Sequence, residues 1–420
     1  MNYIQKNSCI HMLSQSLDRK KFEFEIVFTS GGSWFELPED RGKRHLMEHC
    51  IASRTKTLNF QQLKDFEYSE NLMLNAYTQP ITMGLTVGGH YSDFKKMIDL
   101  LLEMAFEPSF DQDILNRERE IVLREISERR GDPNYRLHFE TMGKVFTPDS
   151  YSNHQVLGDI EMVTQTSIED FYRMHKQNLK KSHVLFLLSG GGIDMDYFES
   201  KLNGYLDQSE LVNEIESKPK VNFQVDNHFQ DFQFLPVVSK LAHSHAELSI
   251  FIPCHVNYQN KPALQVFESL FLKYGGIVYD KLRDELGLVY GIHNAFDINL
   301  QVLDIFLSCE IQYIDEILHQ IKEVFSDFSS VFNEQKFNQY KQIIRKKLDI
   351  SQDTLGASIA FTQNMLRTYG VAEEYNVYAD RLIAVTKDEV EEVYNYVQSS
   401  LDKMKVVVVS NDPKINKIQL

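Results

Sequence analysis

Two histidines four residues apart, with a glutamate beside the second, form the clearest chemical pattern in the sequence: His45-Leu46-Met47-Glu48-His49. On a helix, residues four apart lie on one face, so both imidazoles can bind the same metal ion. The order H-x-x-E-H inverts the zinc-protease helix and places a carboxylate next to the pair. A catalytic zinc site takes three protein ligands and keeps one position open. The motif therefore predicts a third ligand elsewhere in the chain.

The third ligand is predicted on a second helix. Residues 114–126 carry apolar side chains at helical spacing, and Glu118 and Glu125 fall within the same stripe. Burying an unpaired carboxylate is very costly, so a metal ion or a histidine ring is a fitting partner. We assign Glu125 to the metal and Glu118 to a bond that orients a ligand histidine. Taken alone, such glutamates are more often edge carboxylates paired with arginine or backbone.

The two motifs together resemble those of the pitrilysin and insulysin family of zinc peptidases, whose relatives include the mitochondrial processing peptidase. Residues 45–49 look like that family's inverted motif. Residues 118–126 are similar to its second metal motif, two glutamates seven apart, at the family's distance from the histidines. Gly131-Asp132-Pro133 looks like the break after the second-motif helix. The resemblance implies one zinc ion per chain.

Further matches concern the substrate. The run Asn75-Ala76-Tyr77-Thr78 is similar to the family's edge strand beside the metal, which implies that the substrate backbone adds there as an extra strand. Arg283 and Tyr290 resemble the family's late arginine and tyrosine, which implies contact with the substrate and the tetrahedral intermediate. Without the resemblance they are a surface arginine on a helix and a tyrosine on the next strand. Residues 50–55 depart from the apolar, glycine-containing stretch common in the family, which puts the subfamily in doubt.

The resemblance implies a hydrolytic mechanism. His45, His49 and Glu125 would hold Zn²⁺, which lowers the pKa of a bound water toward ~7 and polarises the scissile carbonyl. Glu48 would be the general base and would pass the proton to the leaving amine. Arg283 and Tyr290 would help to bind the oxyanion.

Composition and charge limit the class of protein. Apolar residues make up 43% of 420 positions, enough to build sizeable cores. A formal net charge of -16 argues against nucleic acid and anionic membranes as partners. Met1 to Lys21 shows neither a secretory nor a transit pattern, and no apolar run reaches membrane-spanning length, so we expect a cytoplasmic protein. Four widely spaced cysteines are expected to be reduced.

The order of predicted elements indicates an internal duplication. Residues 22–28 alternate like a half-buried strand before the histidine helix, and residues 247–252 repeat this before a helix that begins at Pro262. The two halves also end alike, with an offset of 222 residues between Val163 and Val385. We predict an α+β fold of two homologous domains, each a largely antiparallel sheet covered by helices, half of a pitrilysin-type clamshell. The predicted bounds are 1–207 for the zinc domain, 208–227 for a linker and 228–420 for the second domain.

The predicted activity is that of a zinc endopeptidase acting on peptides or unfolded segments within an enclosed chamber. Long family members fuse four such domains, so a chain with two implies a homodimer in which each zinc meets Arg283 and Tyr290 of the opposite subunit. A heterodimer with a related metal-free chain is the rival assembly. The alternative functions are a peptide-binding or maturation subunit with little turnover, and a structural zinc protein, which requires a closed four-ligand site.

Overall fold

The structure is a computed structural model, and it describes residues 2–7, 10–153, 155–181, 184–208, 228–352 and 357–418. These residues fall into two compact units. The first unit takes the described residues within 1–129, 154–222 and 353–374, and the second unit takes those within 130–153, 223–352 and 375–420. Each unit is built around one β-sheet.

The first sheet has six strands and the second has five. The strands of the first sheet are β1 (Asn2–Asn7), β2 (Ile10–Ser16), β3 (Lys21–Phe28), β4 (Met73–Thr78), β5 (Met83–His90) and β6 (Val184–Gly190), in the spatial order β1-β2-β6-β3-β5-β4. The strands of the second sheet are β7 (Phe234–Val238), β8 (Ala246–Pro253), β9 (Val289–Asp297), β10 (Val302–Cys309) and β11 (Lys405–Ser410), in the order β7-β11-β8-β10-β9. β2 runs parallel to β6 and β7 runs parallel to β11, and every other neighbouring pair is antiparallel.

Helices connect and cover these strands. In chain order they are α1 (Lys43–Ile51), α2 (Phe60–Ser69), α3 (Phe94–Phe106), α4 (Gln112–Gly131), α5 (Pro133–Val145), α6 (Ile160–Gln165), α7 (Ile168–Lys181), α8 (Met195–Gln208), α9 (Lys261–Phe271), α10 (Ile277–Tyr279), α11 (Ile314–Val324), α12 (Phe328–Val331), α13 (Glu334–Gln352), α14 (Ala357–Tyr369), α15 (Tyr375–Ala384) and α16 (Lys387–Ser400). A π-helical segment, Asp280–Glu285, follows α10 directly.

The alternation predicted for β3 decides where the first core lies. Phe22, Phe24, Ile26 and Phe28 are buried in one hydrophobic cluster with residues of α1, α3, α4 and α7. Because successive side chains of a strand point to opposite faces, Glu23 and Glu25 point to the other face. We call that second surface the open face of the first sheet. Part of it is covered by α14, whose Ile359 and Leu366 pack against Val27, Leu185 and Leu187.

The predicted duplication is visible in the sheet orders. The series β2, β6, β3, β5, β4 in the first sheet corresponds strand for strand to β7, β11, β8, β10, β9 in the second, with the same parallel and antiparallel pairs. The edge strands β4 and β9 therefore occupy equivalent places, as do α1 and α9. The predicted α+β fold with two similar helix-covered sheets is confirmed.

The compact units are not continuous in sequence. Residues 130–153, with α5, group with the second sheet, and the described residues of 353–374, with α14, group with the first. The predicted bounds of the two sequence domains, 1–207 and 228–420, remain predictions, because the compact units are groups in space and not continuous segments. The predicted linker, 208–227, lies outside the described residues except for Gln208.

The described residues bear on two further predictions, the membrane spans and the state of the cysteines. Within them, no helix combines the length and the apolar character needed to cross a membrane. The cytoplasmic location remains a prediction. Cys50, Cys254 and Cys309 are buried free thiols, as expected, and Cys9 lies outside the described residues.

Candidate metal centre

The histidine motif lies on α1, as predicted. One face of this helix packs into the core through Leu46, Met47, Cys50 and Ile51, all at most 1% exposed. His45, Glu48 and His49 lie on the remaining face, close to one another and to α4. Cys50 is therefore a core residue, in agreement with its position one residue beyond the motif.

The start of α1 is held by a buried carboxylate that the sequence analysis did not identify. Glu36 accepts hydrogen bonds from the backbone N–H groups of Gly42, at 2.9 Å, and Arg44, at 2.7 Å. The Arg44 guanidinium donates to the side chain of Asn178 and to the Ser30 carbonyl. The first turn of a helix has unpaired N–H groups and a partial positive charge, so these contacts fix where the motif begins.

Three donor atoms from α1 and α4 converge. Nε2 of His45 lies 3.7 Å from Oε2 of Glu125, and Nε2 of His49 lies 4.0 Å from the same oxygen. One ligand atom from each of these residues lies within 4.8 Å of the other two. Ile114, Leu115, Val122 and Ile126 anchor α4 in the core and so bring Glu125 to the histidines. Two imidazole nitrogens and one carboxylate oxygen are a donor set that suits zinc, so the residues present fit the predicted ion.

A carboxylate next to His49 determines which ring nitrogen of this histidine can bind a metal ion. Nδ1 of His49 donates to Oε2 of Glu118 at 3.2 Å, which leaves the lone pair on Nε2. Glu118 is only 7% exposed and also accepts from the Arg117 guanidinium at 2.6 Å. Burial alone would raise the pKa of Glu118, but the bonds from His49 and Arg117 outweigh it and lower that pKa. Glu118 therefore lies against His49, and its role in orienting a metal ligand remains a prediction.

Burial sets the protonation of the other two motif residues. It lowers the pKa of His45 to about 4, so that the ring is neutral and can act as a ligand. It also raises the pKa of Glu48 to about 7, although the charge of His49 opposes this shift. Oε2 of Glu48 lies 4.0 Å from Nε2 of His45. With a pKa of about 7, Glu48 is about half ionised at neutral pH, and its carboxylate form has the basicity that suits a general base.

The predicted substrate strand is β4, at one edge of the first sheet. Among the described residues β4 pairs only with β5, so its outer edge offers free backbone groups. Ala76 faces the core, whereas Asn75 and Tyr77 face the open face. The Tyr77 hydroxyl donates to Glu25 at 2.6 Å. The last residue of β4, Thr78, places its hydroxyl beside Glu48, which brings this strand to the candidate centre.

Arg283 and Tyr290 are brought together in the second unit. Arg283 lies on the π-helical segment, and its guanidinium is 5.2 Å from the centroid of the Tyr290 ring. It also donates to the Tyr279 hydroxyl. Tyr290 lies on the edge strand β9 and is 85% exposed. The metal group belongs to the first unit, so the catalytic roles of Arg283 and Tyr290 remain predictions.

Comparisons with known proteins extend over most of the chain. Residues 12–150 match the sequence profile of insulinase (peptidase family M16), and residues 165–344 match that of the peptidase M16 inactive domain. An uncharacterized zinc protease of Rickettsia bellii is 21% identical over 361 residues, which cover 82% of this chain and 81% of that protein. A probable mitochondrial-processing peptidase subunit beta of Arabidopsis thaliana is 25% identical over 166 residues, 39% of this chain and 31% of that protein.

A solved structure supports the fold. The crystal structure of a protease from Helicobacter pylori aligns with a TM-score of 0.74 at 14% identity and covers 97% of this chain and 99% of that one. At this identity the likeness concerns the fold alone. The profile named as inactive covers the stretch that contains β8, α9 and β9, where the position equivalent to α1 carries no histidine.

Proposed function

Because the chain belongs to the M16 (insulinase) peptidase family, we propose that it is a zinc-dependent endopeptidase with His45, His49 and Glu125 as metal ligands. The observation that supports this most directly is the convergence of these three donors within 4.8 Å of one another, beside a buried glutamate. In the described residues of 1–418, this is the one group of three histidine, cysteine or carboxylate side chains with donor atoms so close.

The residues of the chain divide the work of peptide hydrolysis. When bound, zinc supplies Lewis acidity toward the scissile carbonyl and toward the attacking water. Glu48 removes a proton from that water and delivers it to the leaving amine. Glu118 holds His49 in the tautomer that presents Nε2. The free edge of β4 pairs with an extended peptide and presents its scissile bond near Glu48.

A homodimer is part of the proposal. In it, Arg283 and Tyr290 of the partner subunit stabilise the oxyanion at the site, and peptides or unfolded segments are cleaved within an enclosed chamber. The exposed Tyr290 ring, stacked against Arg283, supports this because Tyr and Arg dominate binding surfaces. Mixing Glu48→Gln with Arg283→Ala tests it, since a mixed dimer regains one intact site. If verified mixed dimers recover no activity, the two subunits do not share their sites. If the chain dimerises only with a different, metal-free chain, the heterodimer is favoured.

A second candidate is a peptide-binding or maturation subunit with little turnover of its own. The match of residues 165–344 to a profile described as inactive favours it, because a large part of the chain then serves to bind rather than to cut. The two candidates share the metal group and the free edge of β4. They differ in whether Glu48 turns over substrate.

Peptide cleavage by the zinc-loaded protein separates the two. A diverse peptide library is incubated with the parent protein, with Glu48→Gln and with Glu128→Gln, and the products are identified by mass spectrometry. Glu128 is exposed on α4 and provides a control for loss of one carboxylate. We expect cleavage by the parent and the control and none by Glu48→Gln, with equal zinc content in all three. Zinc-loaded dimers that bind peptides but never cut them would support the binding subunit.

A further inference from the structure

Each oxygen of the Glu118 carboxylate has its own donor. Oε2 accepts from Nδ1 of His49 at 3.2 Å, and Oε1 accepts from Nη2 and Nε of Arg117 at 2.6 and 3.1 Å. The last torsion of a glutamate side chain has broad minima, so a carboxylate that is held at one oxygen alone can still rotate. The Arg117 guanidinium therefore fixes the plane of the group that contacts His49.

The contact between Arg117 and Glu118 does not follow from helix geometry. The two residues are neighbours on α4, and side chains of neighbouring residues on a helix point about 100° apart and do not face each other. Arg117 has to turn back along the surface of α4 to reach the carboxylate. Because a long arginine side chain loses rotamer freedom when it does so, the contact needs a second group that holds the guanidinium.

The second group is the ring of Phe60. Cζ of Arg117 lies 3.6 Å from the centroid of this ring, which is a close cation–π contact. Phe60 also packs against the hydrophobic core of the first unit, so the ring is a fixed support for the guanidinium. Nζ of Lys64 lies over the same ring at 6.0 Å and is paired with Glu67 at 2.8 Å. Arg117 is thus the closer of these two cations.

The position of Phe60 follows from the start of α2. The side chain of Asn59 accepts from the backbone N–H of Gln62, and the side chain of Gln62 accepts from the backbone N–H of Asn59, both at 3.0 Å. This capping box makes Asn59 the N-cap and Phe60 the first residue of the helix. Local sequence therefore places the ring that Arg117 contacts.

We propose that Arg117 and Phe60 are positioning residues of the candidate metal centre. The Phe60 ring holds the Arg117 guanidinium, the guanidinium holds the Glu118 carboxylate, and the carboxylate turns Nε2 of His49 toward the zinc ion. Neither Arg117 nor Phe60 offers a donor atom to the group of three candidate ligands. The inference rests on the proposed zinc peptidase function and adds to it two residues that act through Glu118.

A purely electrostatic role for Arg117 predicts the opposite effect. A guanidinium near a metal site repels the metal cation, so its removal should strengthen zinc binding if Arg117 acts only through its charge. If Arg117 positions Glu118, its removal should weaken zinc binding. The direction of the change in affinity therefore separates the two roles.

The first measurement is the zinc affinity of the parent, Arg117→Gln and Arg124→Gln, by competition with a chromophoric chelator. Arg124 is exposed on the same helix, so Arg124→Gln loses an equal charge and keeps the contact between Arg117 and Glu118. We expect Arg117→Gln to bind zinc about tenfold more weakly than the parent, as is usual when the partner of a ligand residue is disturbed. Arg124→Gln should bind zinc as tightly as the parent or more tightly. Unchanged or tighter binding in Arg117→Gln would overturn the proposal.

Two substitutions of Phe60 separate the effect of its ring from that of its bulk. Leucine keeps an apolar side chain without a π-face, whereas tyrosine keeps the ring. We expect Phe60→Leu to weaken zinc binding about two- to fivefold, which corresponds to the strength of a partly exposed cation–π contact, and Phe60→Tyr to bind as the parent does. If Phe60→Leu binds zinc as tightly as Phe60→Tyr, the ring does not hold Arg117 and the role of Phe60 is wrong.

A second measurement needs neither metal nor catalysis. Long-range ¹H–¹⁵N NMR spectra of the metal-free proteins show which ring nitrogen of His49 carries the proton, at a pH where the ring is neutral, and the spectrum of His49→Gln identifies the signals. We expect the Nδ1–H form in the parent, Arg124→Gln and Phe60→Tyr, and a shift toward the Nε2–H form in Arg117→Gln and Phe60→Leu.

The NMR result also separates this proposal from the proposed function. The same distribution of the His49 proton in the parent and in Arg117→Gln would overturn the proposal, even if the zinc affinity changed. If the parent binds no zinc, the proposed peptidase function fails. The spectra of the metal-free proteins then still decide whether Arg117 and Phe60 position His49.

Discussion

Nδ1 of His49 and Oε2 of Glu118 are 3.2 Å apart, in a hydrogen bond that joins α1, the helix of the histidine motif, to α4. Because a carboxylate only accepts, the proton is on Nδ1, and Nε2 is left to bind a metal ion. The same α4 carries Glu125, two helical turns further on. One helix therefore supplies both a candidate ligand and the group that orients another.

Replacement of Glu118 by glutamine should weaken zinc binding. The amide can still meet His49 but no longer favours the Nδ1–H tautomer by its charge, and loss of such partners typically costs about 10- to 100-fold in metal affinity. Competition with a chromophoric chelator measures this. Glu120→Gln, on the exposed side of α4, is the matched control and should bind as the parent does. Equal affinity in all three proteins would show that Glu118 has no orienting role.

Removal of the Glu36 carboxylate should destabilise the first unit. In Glu36→Ala the N–H groups of Gly42 and Arg44 lose their acceptor at the start of α1. We expect the free energy of unfolding to fall by about 1–3 kcal/mol, which urea denaturation of the metal-free protein measures. The exposed neighbour Glu39 supplies the control, Glu39→Ala, with a change under about 0.5 kcal/mol. A stable Glu36→Ala protein would mean that water replaces the carboxylate.

The conformation of Gly42 should not tolerate a side chain. Its φ of +89° is left-handed, and a Cβ atom there would lie 2.7 Å from the Leu157 carbonyl oxygen. We expect Gly42→Ala to destabilise the protein by about 2 kcal/mol or more, as measured by thermal unfolding. Gly204→Ala should instead stabilise α8 by about 0.5–1 kcal/mol, since its Cβ is unobstructed. If both substitutions stabilised the protein, the backbone described for Gly42 would be wrong.

Acid should destabilise the protein partly through His175. Its Nε2 donates to the Ala105 carbonyl at 2.8 Å, and burial lowers its pKa to about 4 from an ordinary value of 6.5. Between these values the unfolded chain binds a proton that the folded protein does not. The stabilisation is therefore complete above pH 6.5 and is lost as the pH falls toward 4, by up to about 3 kcal/mol.

The measurement is the free energy of unfolding at pH 7 and pH 4.5. His175→Gln should lose less stability between these two values than the parent does. His319→Gln removes a largely exposed histidine on α11 and should keep the slope of the parent. Identical slopes for all three would indicate that His175 is protonated in the folded state.

Local patterns sufficed for part of the centre. Residues 45–49 are helical because the motif has helical spacing and no breaker, and Glu118 and Glu125 could be placed from the apolar stripe around them. The edge position of β4 followed from resemblance, as did the roles of Arg283 and Tyr290, which remain predictions.

Features that depend on distant segments were not predictable in this way. Arg44 meets Asn178 across more than a hundred intervening positions, and neither residue carries a signal of the contact. Glu36 lies only six and eight positions from Gly42 and Arg44, but no pattern in the residues between them signals these hydrogen bonds. The open face of the first sheet combines β3 with β6, and part of its cover comes from α14. Pairings of this kind are set by the topology of the sheet and not by the local sequence.

The coverage of the first sheet by α14 has a consequence for biosynthesis. Ile359 and Leu366 pack against Val27 and Leu187 in one hydrophobic cluster. α14 begins more than 150 residues after β6, the last strand of the first sheet, so a ribosome adding about 5–20 residues per second releases it well after that sheet. The nascent metal-binding half must therefore keep an apolar surface uncovered while the rest is translated.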